Sequence, residues 1–126
     1  MKRIVQTTKA PAAIGPYSQG VTAGGFLYIS GQLGIEPESG QLASGVEAQA
    51  RRSLENIKAI LAEAGLSMAD VVRTGIFLRD LHNFQKTNSI YAEFFASDYP
   101  ARSTIEVSGL PRDAEVEIEA VALLRG

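Results

Sequence analysis

Ten residues, Glu115–Leu124, constrain this chain more than any others. Read as an extended strand, they place Val116, Ile118, Ala120, Ala122 and Leu124 on one side and Glu117, Glu119, Val121 and Leu123 on the other. Neither side is polar throughout. Phe26–Ser30 (FLYIS) also gives apolar groups to both faces, and Val71–Arg79 (VVRTGIFLR) sets Val71 and Phe77 against Val72, Ile76 and Leu78. A sheet built from such strands needs cover on both sides. The chain offers two helices, which cover one. The other face is expected to be buried against further copies of the chain.

The stronger helix is Val46–Ala64, where Val46, Ala50, Leu54, Ile57, Leu61 and Ala64 recur at three- and four-residue spacing. Glu47 and Arg51 are placed for an i,i+4 ion pair on its polar side. Gly65 stands where a left-handed cap ends a helix, and Ser67–Asp70 has the form of a capping box. The second helix is expected over Asn83–Ala96, with Phe84, Tyr91 and Phe95 on one face. Ala10–Gly20 carries Pro11, Gly15 and Pro16 and reads as an irregular loop, as does Pro37–Gly45. Ile4–Gln6 and Arg102–Val107 complete the strands. The order is β-β-α-β-α-β-β with roughly four main strands, an α+β fold of one domain over residues 1–126 with both helices on one face of a mixed sheet.

Several function classes lose support from composition. Cysteine is absent, which removes disulfides, thiolate metal ligands and thiol nucleophiles, and one histidine makes a zinc site rare. The net charge of −2 and a pI near 5.4, with no basic block, oppose electrostatic binding of nucleic acid. The N-terminus MKRIVQTTKAPAA has no apolar core of a signal peptide, and no run approaches a membrane span. A cytoplasmic setting is the expectation.

Candidate functional residues follow from position. Arg102 starts a strand beside Pro100, with Thr104 and Glu106 on its face; it is either a two-pronged carboxylate anchor or an exposed strand-end arginine. Glu117, on the face expected to be buried between copies, should have its pKa raised by desolvation, as a general acid or base near neutrality requires; the alternative is a solvated row with Glu115 and Glu119. Asn88 lies one turn from Phe84 and Tyr91 and points to the apolar stripe, as a structural or pocket-lining amide. Tyr17, in a Gly-Pro-Tyr-Ser loop, is a loop anchor or a pocket lid. Ser30-Gly31 ends a strand, and the glycine admits a ligand close to the backbone. No metal motif, phosphate loop or dinucleotide fingerprint is present, and His82 reads as a surface residue.

Taken together, Ala12–Gln19 (AAIGPYSQ), Ser30-Gly-Gln32, Pro100–Val107 (PARSTIEV), Leu110-Pro111 and Val116-Glu-Ile118 resemble, in order and spacing, the Rid family of enamine/imine deaminases, also called the YjgF or L-PSP endoribonuclease family. The resemblance spans essentially the whole chain. It implies a chorismate-mutase-like fold and a homotrimer with sheets facing a barrel-like interior, helices outward and three clefts between subunits. It implies hydrolytic deamination of reactive 2-enamino and 2-imino acids, such as 2-aminoacrylate, to 2-keto acids and ammonia, with no cofactor because the imine is already activated. Arg102 would anchor the substrate carboxylate, and Glu117 would activate water and shuttle protons. Backbone at Gly31 and Thr104 would hold the nitrogen end or the water, Tyr17 would close the cleft, Asn88 would support its wall and Ser30 would line it. A site between subunits would bring Tyr17, Ser30 and Asn88 of one chain near Arg102 and Glu117 of another. Many members carry cysteine where this chain has Thr104, which excludes a thiol-dependent step and leaves hydrolysis by water untouched. Two other readings stand beside this one: an RNA-cleaving translation inhibitor, opposed by the charge and the remote histidine, and a non-catalytic module that binds small 2-keto or amino acids.

Overall fold

The computed structural model describes all residues, 1–126. Six strands form one mixed sheet: β1 (Arg3–Val5), β2 (Gly20–Ala23), β3 (Phe26–Leu33), β4 (Val71–Leu78), β5 (Ala101–Glu106) and β6 (Val116–Leu123), in spatial order β1-β2-β3-β6-β4-β5. All neighbours are antiparallel except β4 and β5. Helices α1 (Val46–Glu63) and α2 (Phe84–Ala92) lie on one side. The expected α+β class, with two helices and a mixed sheet, is what forms. The four main strands are β3, β4, β5 and β6; the expected order lacked β2, because Gly-Val-Thr-Ala is too short to show a period.

β6 runs through the middle of the sheet and divides the molecule. Its even-numbered residues from Val116 to Ala122 are buried under the helices with Leu27, Ile76 and Leu78, and α1 adds Leu54, Ile57, Ile60 and Leu61. Each such large side chain contributes roughly 1.5–3 kcal/mol by leaving water. The opposite face is bare: Tyr28, Leu123, Val72 and Ile105 are all exposed there or at its edge.

Two local irregularities depart from simple alternation. The β3–β6 register shifts between Ile29 and Gln32, a bulge that takes Ser30 and Gly31 out of step and carries the strand on to Leu33. In β4 the register shifts between Val71 and Arg73. Val71 is therefore buried in the core and Val72 is exposed, which corrects the expectation that Val71 shares a face with Phe77.

Helix α1 ends within one residue of its expected end, with Gly65 at φ 76° behind it, and the Ser67–Asp70 capping box is present. Arg51 does not pair with Glu47. It makes a two-pronged ion pair with Glu93 just beyond α2, at 2.7 and 3.2 Å, because the second helix lies within its reach. Helix α2 is shorter than expected. A 3-10 turn at Leu81–Asn83 precedes it, and after Ala92 the chain turns off while Phe95 still reaches the core.

Helix α1 also buries a polar stripe that its apolar pattern conceals. Ser53 donates to the Gln32 carbonyl at 2.7 Å, and the Asn56 amide donates to the carbonyls of Leu33 and Ile35. Gln49 takes the Glu115 N–H at 2.7 Å and donates to Ala43. These bonds satisfy backbone groups at the far end of β3, just before α1 and just before β6, and fix those segments against α1. Gly34 permits the contact, since any Cβ there would collide with the Gln49 backbone.

Candidate active site

The site residues fall into two groups on opposite sides of the sheet. On the bare side, a cleft of about 920 Å³ has Glu117 and Glu119 in its lining, together with Tyr17, Ser30 and Gly31. The long loop before β2 supplies its wall, and one side chain moors that loop. Gln19, 3% exposed, accepts the Thr7 N–H at 2.7 Å and donates to the carbonyls of Thr7, Ala10 and Pro11. The Ser30 hydroxyl donates to the Ser18 carbonyl at 2.6 Å, and the Ser30 N–H donates to the Gln19 carbonyl. Ser30 thus sets the position of the loop that carries Tyr17, whose ring is half exposed at the cleft.

Gly31 is the floor under Glu117. A Cβ added there would stand 2.7 Å from the Glu117 Cδ and 2.9 Å from its Oε2, so only glycine lets the carboxylate lie down on the strand. Glu119 lies over Gly75 in the same way, 3.0 Å from a Cβ that is not there. Burial pushes the Glu117 carboxyl above the usual glutamate range, and the neighbouring Glu119 charge adds to the shift. This is the direction expected from its place on the strand, and Glu117 accepts no hydrogen bond or ion pair within the chain that would oppose it.

On the helix side, Arg102 lies half-buried beside α2. Its guanidinium carbon sits 4.9 Å from the Tyr91 ring centroid and 5.6 Å from that of Phe84. Tyr91 is held by a 2.7 Å hydrogen bond between its hydroxyl and that of Thr74. Arg102 has no carboxylate partner, so the aromatic pair fixes a cation whose hydrogen-bonding fork remains unused. Asn88, Tyr99 and Pro100 line the small crevice of about 320 Å³ beside it. The Thr104 hydroxyl, two residues along the same face, is buried without a partner.

The grouping differs from the one expected. Asn88 shares its crevice with Arg102, not with Tyr17 and Ser30, and Glu117 shares its cleft with Tyr17 and Ser30, not with Arg102. The residue of α2 sunk in the apolar stripe is Thr87, 1% exposed, while Asn88 is turned outward by one helical step of about 100°. Sequence reasoning passed over Gln19 and the polar stripe of α1 as functional supports; Gln19 does stand in the AAIGPYSQ segment, but no spacing rule marks a loop-mooring amide. His82 pairs with Asp80 at 2.8 Å, its side chain 96% exposed, outside both crevices.

The model of one family, described as Endoribonuclease L-PSP, matches residues 7–124, nearly the whole chain. The chain belongs to that family. It is 49% identical to a RutC family protein of Pyrococcus horikoshii over 97% of this chain and 98% of that one. It is 48% identical to the 2-iminobutanoate/2-iminopropanoate deaminase of Salmonella typhimurium, over 99% of this chain and all of that one. The crystal structure of Escherichia coli TdcF with bound serine superposes with a TM-score of 0.94 at 44% identity, covering 98% of this chain and 99% of that one. The resemblance read from the motif segments is therefore one of family, from end to end.

Proposed function

We propose that the chain is an enamine/imine deaminase that hydrolyses 2-imino acids, in their enamine or imine form, to 2-keto acids and ammonia. The observation that carries the reading is the seat of Glu117: a carboxyl of raised pKa, pressed onto Gly31 in an open cleft, in a chain 48% identical to a 2-iminobutanoate/2-iminopropanoate deaminase.

The chemistry follows from the two groups. The Arg102 fork takes the substrate carboxylate in a two-pronged pair, which fixes the imine carbon in place. Glu117 accepts a proton from water as the water oxygen bonds to that carbon and the C=N electron pair moves to nitrogen. The proton then passes to nitrogen to give the carbinolamine; Glu117 takes the carbinolamine hydroxyl proton and delivers it to the amino group as the C–N bond breaks and the C=O forms, and ammonia leaves. Imine and water are consumed, keto acid and ammonia are formed, and Glu117 returns to its starting state. A carboxyl whose pKa is raised toward neutrality suits both halves of this transfer.

Arg102 and Glu117 lie on opposite sides of one chain's sheet, so the site takes them from two copies. We propose a homotrimer in which the bare faces turn inward and Arg102, Asn88 and Thr104 of one protomer meet Glu117, Gly31, Ser30 and Tyr17 of its neighbour. The unpartnered Arg102 fork, the acidic cleft and the exposed Tyr28, Ile105 and Leu123 support this arrangement.

The test is ammonia release, above spontaneous hydrolysis, from 2-aminoacrylate and 2-iminobutanoate generated in situ by a pyridoxal-phosphate dehydratase acting on serine and threonine. Acceleration by the wild type that collapses in Arg102→Ala is the expected outcome. Binding of pyruvate or 2-oxobutyrate with no acceleration would establish a non-catalytic module instead, and RNA cleavage that survives Arg102→Ala and Glu117→Gln would establish a ribonuclease.

A further inference from the structure

Between β5 and β6 the backbone enters the left-handed region at two consecutive residues, neither of them glycine: Arg112 at φ 60° and Asp113 at φ 59°. Such a pair is uncommon and stores strain. Arg79 holds it in place. One Arg79 nitrogen donates to the Asp113 carbonyl at 3.1 Å and to its carboxylate at 3.0 Å, and the other pairs with Glu115 at 3.2 Å.

The turn aims the Arg112 side chain into the lining of the Glu117 cleft. There one guanidinium nitrogen donates to the Gly40 carbonyl at 3.0 Å, bridging two segments of the wall. The rest of its fork has no partner, and no carboxylate lies within ion-pair distance. Arg112 is the only cationic residue lining that cleft, against three carboxylates. Of these Glu36 is paired with Arg52, while Glu117 and Glu119 lie on the floor.

We infer that Arg112 is a specificity-determining residue that receives a second, side-chain carboxylate, so that the enzyme accepts imines of acidic amino acids as well as small neutral ones. This rests on the deaminase reading above. With the 2-carboxylate on Arg102 and the reacting carbon at Glu117, the substrate side chain extends into the cleft of the Glu117 protomer. A distal carboxylate there meets repulsion from Glu119 unless Arg112 takes it, and a guanidinium already anchored through one nitrogen loses little freedom in doing so.

The experiment compares imines generated in situ by flavin-dependent oxidation of aspartate or glutamate with those from alanine or leucine, for the wild type and Arg112→Gly. Glycine removes the guanidinium and accepts the left-handed backbone without strain, and thermal unfolding of the variant checks that the fold is kept. The ratio of kcat/KM for acidic over neutral imines is expected to fall about tenfold in Arg112→Gly, with KM for the acidic imine carrying most of the loss. Arg112→Lys, which keeps the charge, is expected to restore part of the ratio. A ratio that is the same in wild type and Arg112→Gly, or a wild type that turns over only the neutral imines, overturns the inference and leaves the deaminase reading standing. A wild type that accelerates neither kind of imine removes both.

Discussion

Val116, Ile118, Ala120 and Ala122 are buried almost completely on one side of β6, while Glu117, Glu119, Val121 and Leu123 on its other side have no helix over them. Both sets come from the same eight residues. On the covered side of β6 these four residues pack among aliphatic chains of the core, so they serve stability. The bare side combines apolar groups with two carboxylates laid on glycines, an arrangement that costs a lone chain and, in the function proposed above, serves association and chemistry. The difference teaches that one strand has room both to hold the fold together and, in the proposed function, to carry the reaction, because the two tasks fall on alternate residues.

Neighbouring substitutions on β6 test that division most severely. Glu117→Gln is expected to lower imine turnover by about 10²–10⁴-fold, the range for loss of a general acid–base group, while the variant still unfolds cooperatively. Ile118→Ala, one residue away, is expected to cost about 2–5 kcal/mol of unfolding free energy by opening a cavity. Denaturant titration alongside turnover separates the two, and a Glu117→Gln chain that fails to fold would break the comparison.

The glycine floor gives the next largest effect. In Gly31→Ala the new methyl displaces the Glu117 carboxylate, and turnover is expected to fall by up to about 10²-fold, as misplacement of a reacting group by an ångström can cause. A crystal structure of the variant should show the carboxylate moved. Unchanged kinetics would mean that the position of Glu117 does not matter.

Association comes third. Leu123→Asp on the bare face is expected to shift sedimentation from trimer toward monomer at micromolar concentration, with turnover lost in proportion, while far-ultraviolet circular dichroism stays as in the wild type. The parent chain sedimenting as a monomer would remove the shared site altogether.

The smallest effect is on pH dependence. A carboxyl whose folded pKa is raised holds its proton in the folded state after the unfolded chain has lost it. Stability therefore falls as pH rises from the ordinary glutamate value through the raised one. In the monomeric Leu123→Asp background, the decline across that window should disappear when Glu117→Gln is added, and below the window the two curves should run parallel. In the assembled protein, an arginine arriving from the neighbour would pull the Glu117 pKa back down and flatten the same slope.

The covered face was legible in the sequence because burial under a helix leaves a period: two residues along β6, three and four along α1. The bare face was legible only as a surplus of apolar residues. What escaped was set by contacts that leave no period. Val71 took the opposite side from its alternation because a bulge at Val72 intervenes. Arg51 chose Glu93, a partner 42 residues away, over Glu47 on its own helix. In the candidate site, Arg102, Glu117 and Gly31 could be singled out one by one. The side of Glu117, away from the helices, was read as well; that Arg102 lies on the opposite, helix side was not, because alternation along β5 says which of its residues share a face and not which face meets the helices. Asn88 and Thr87 show the same limit on a helix, where one residue of rotation exchanges a core position for a crevice wall.

The spatial order also bears on how the molecule comes to exist. β6 follows the other five strands along the chain, yet it lies between β3 and β4 and joins the β1–β2–β3 ribbon to the β4–β5 pair. Until it emerges from the ribosome, those two portions have no shared neighbour and both keep an open edge on which other strands could add. A nascent chain of this kind stays vulnerable until β6 has been made, and its two portions become one sheet only when that segment slots between them.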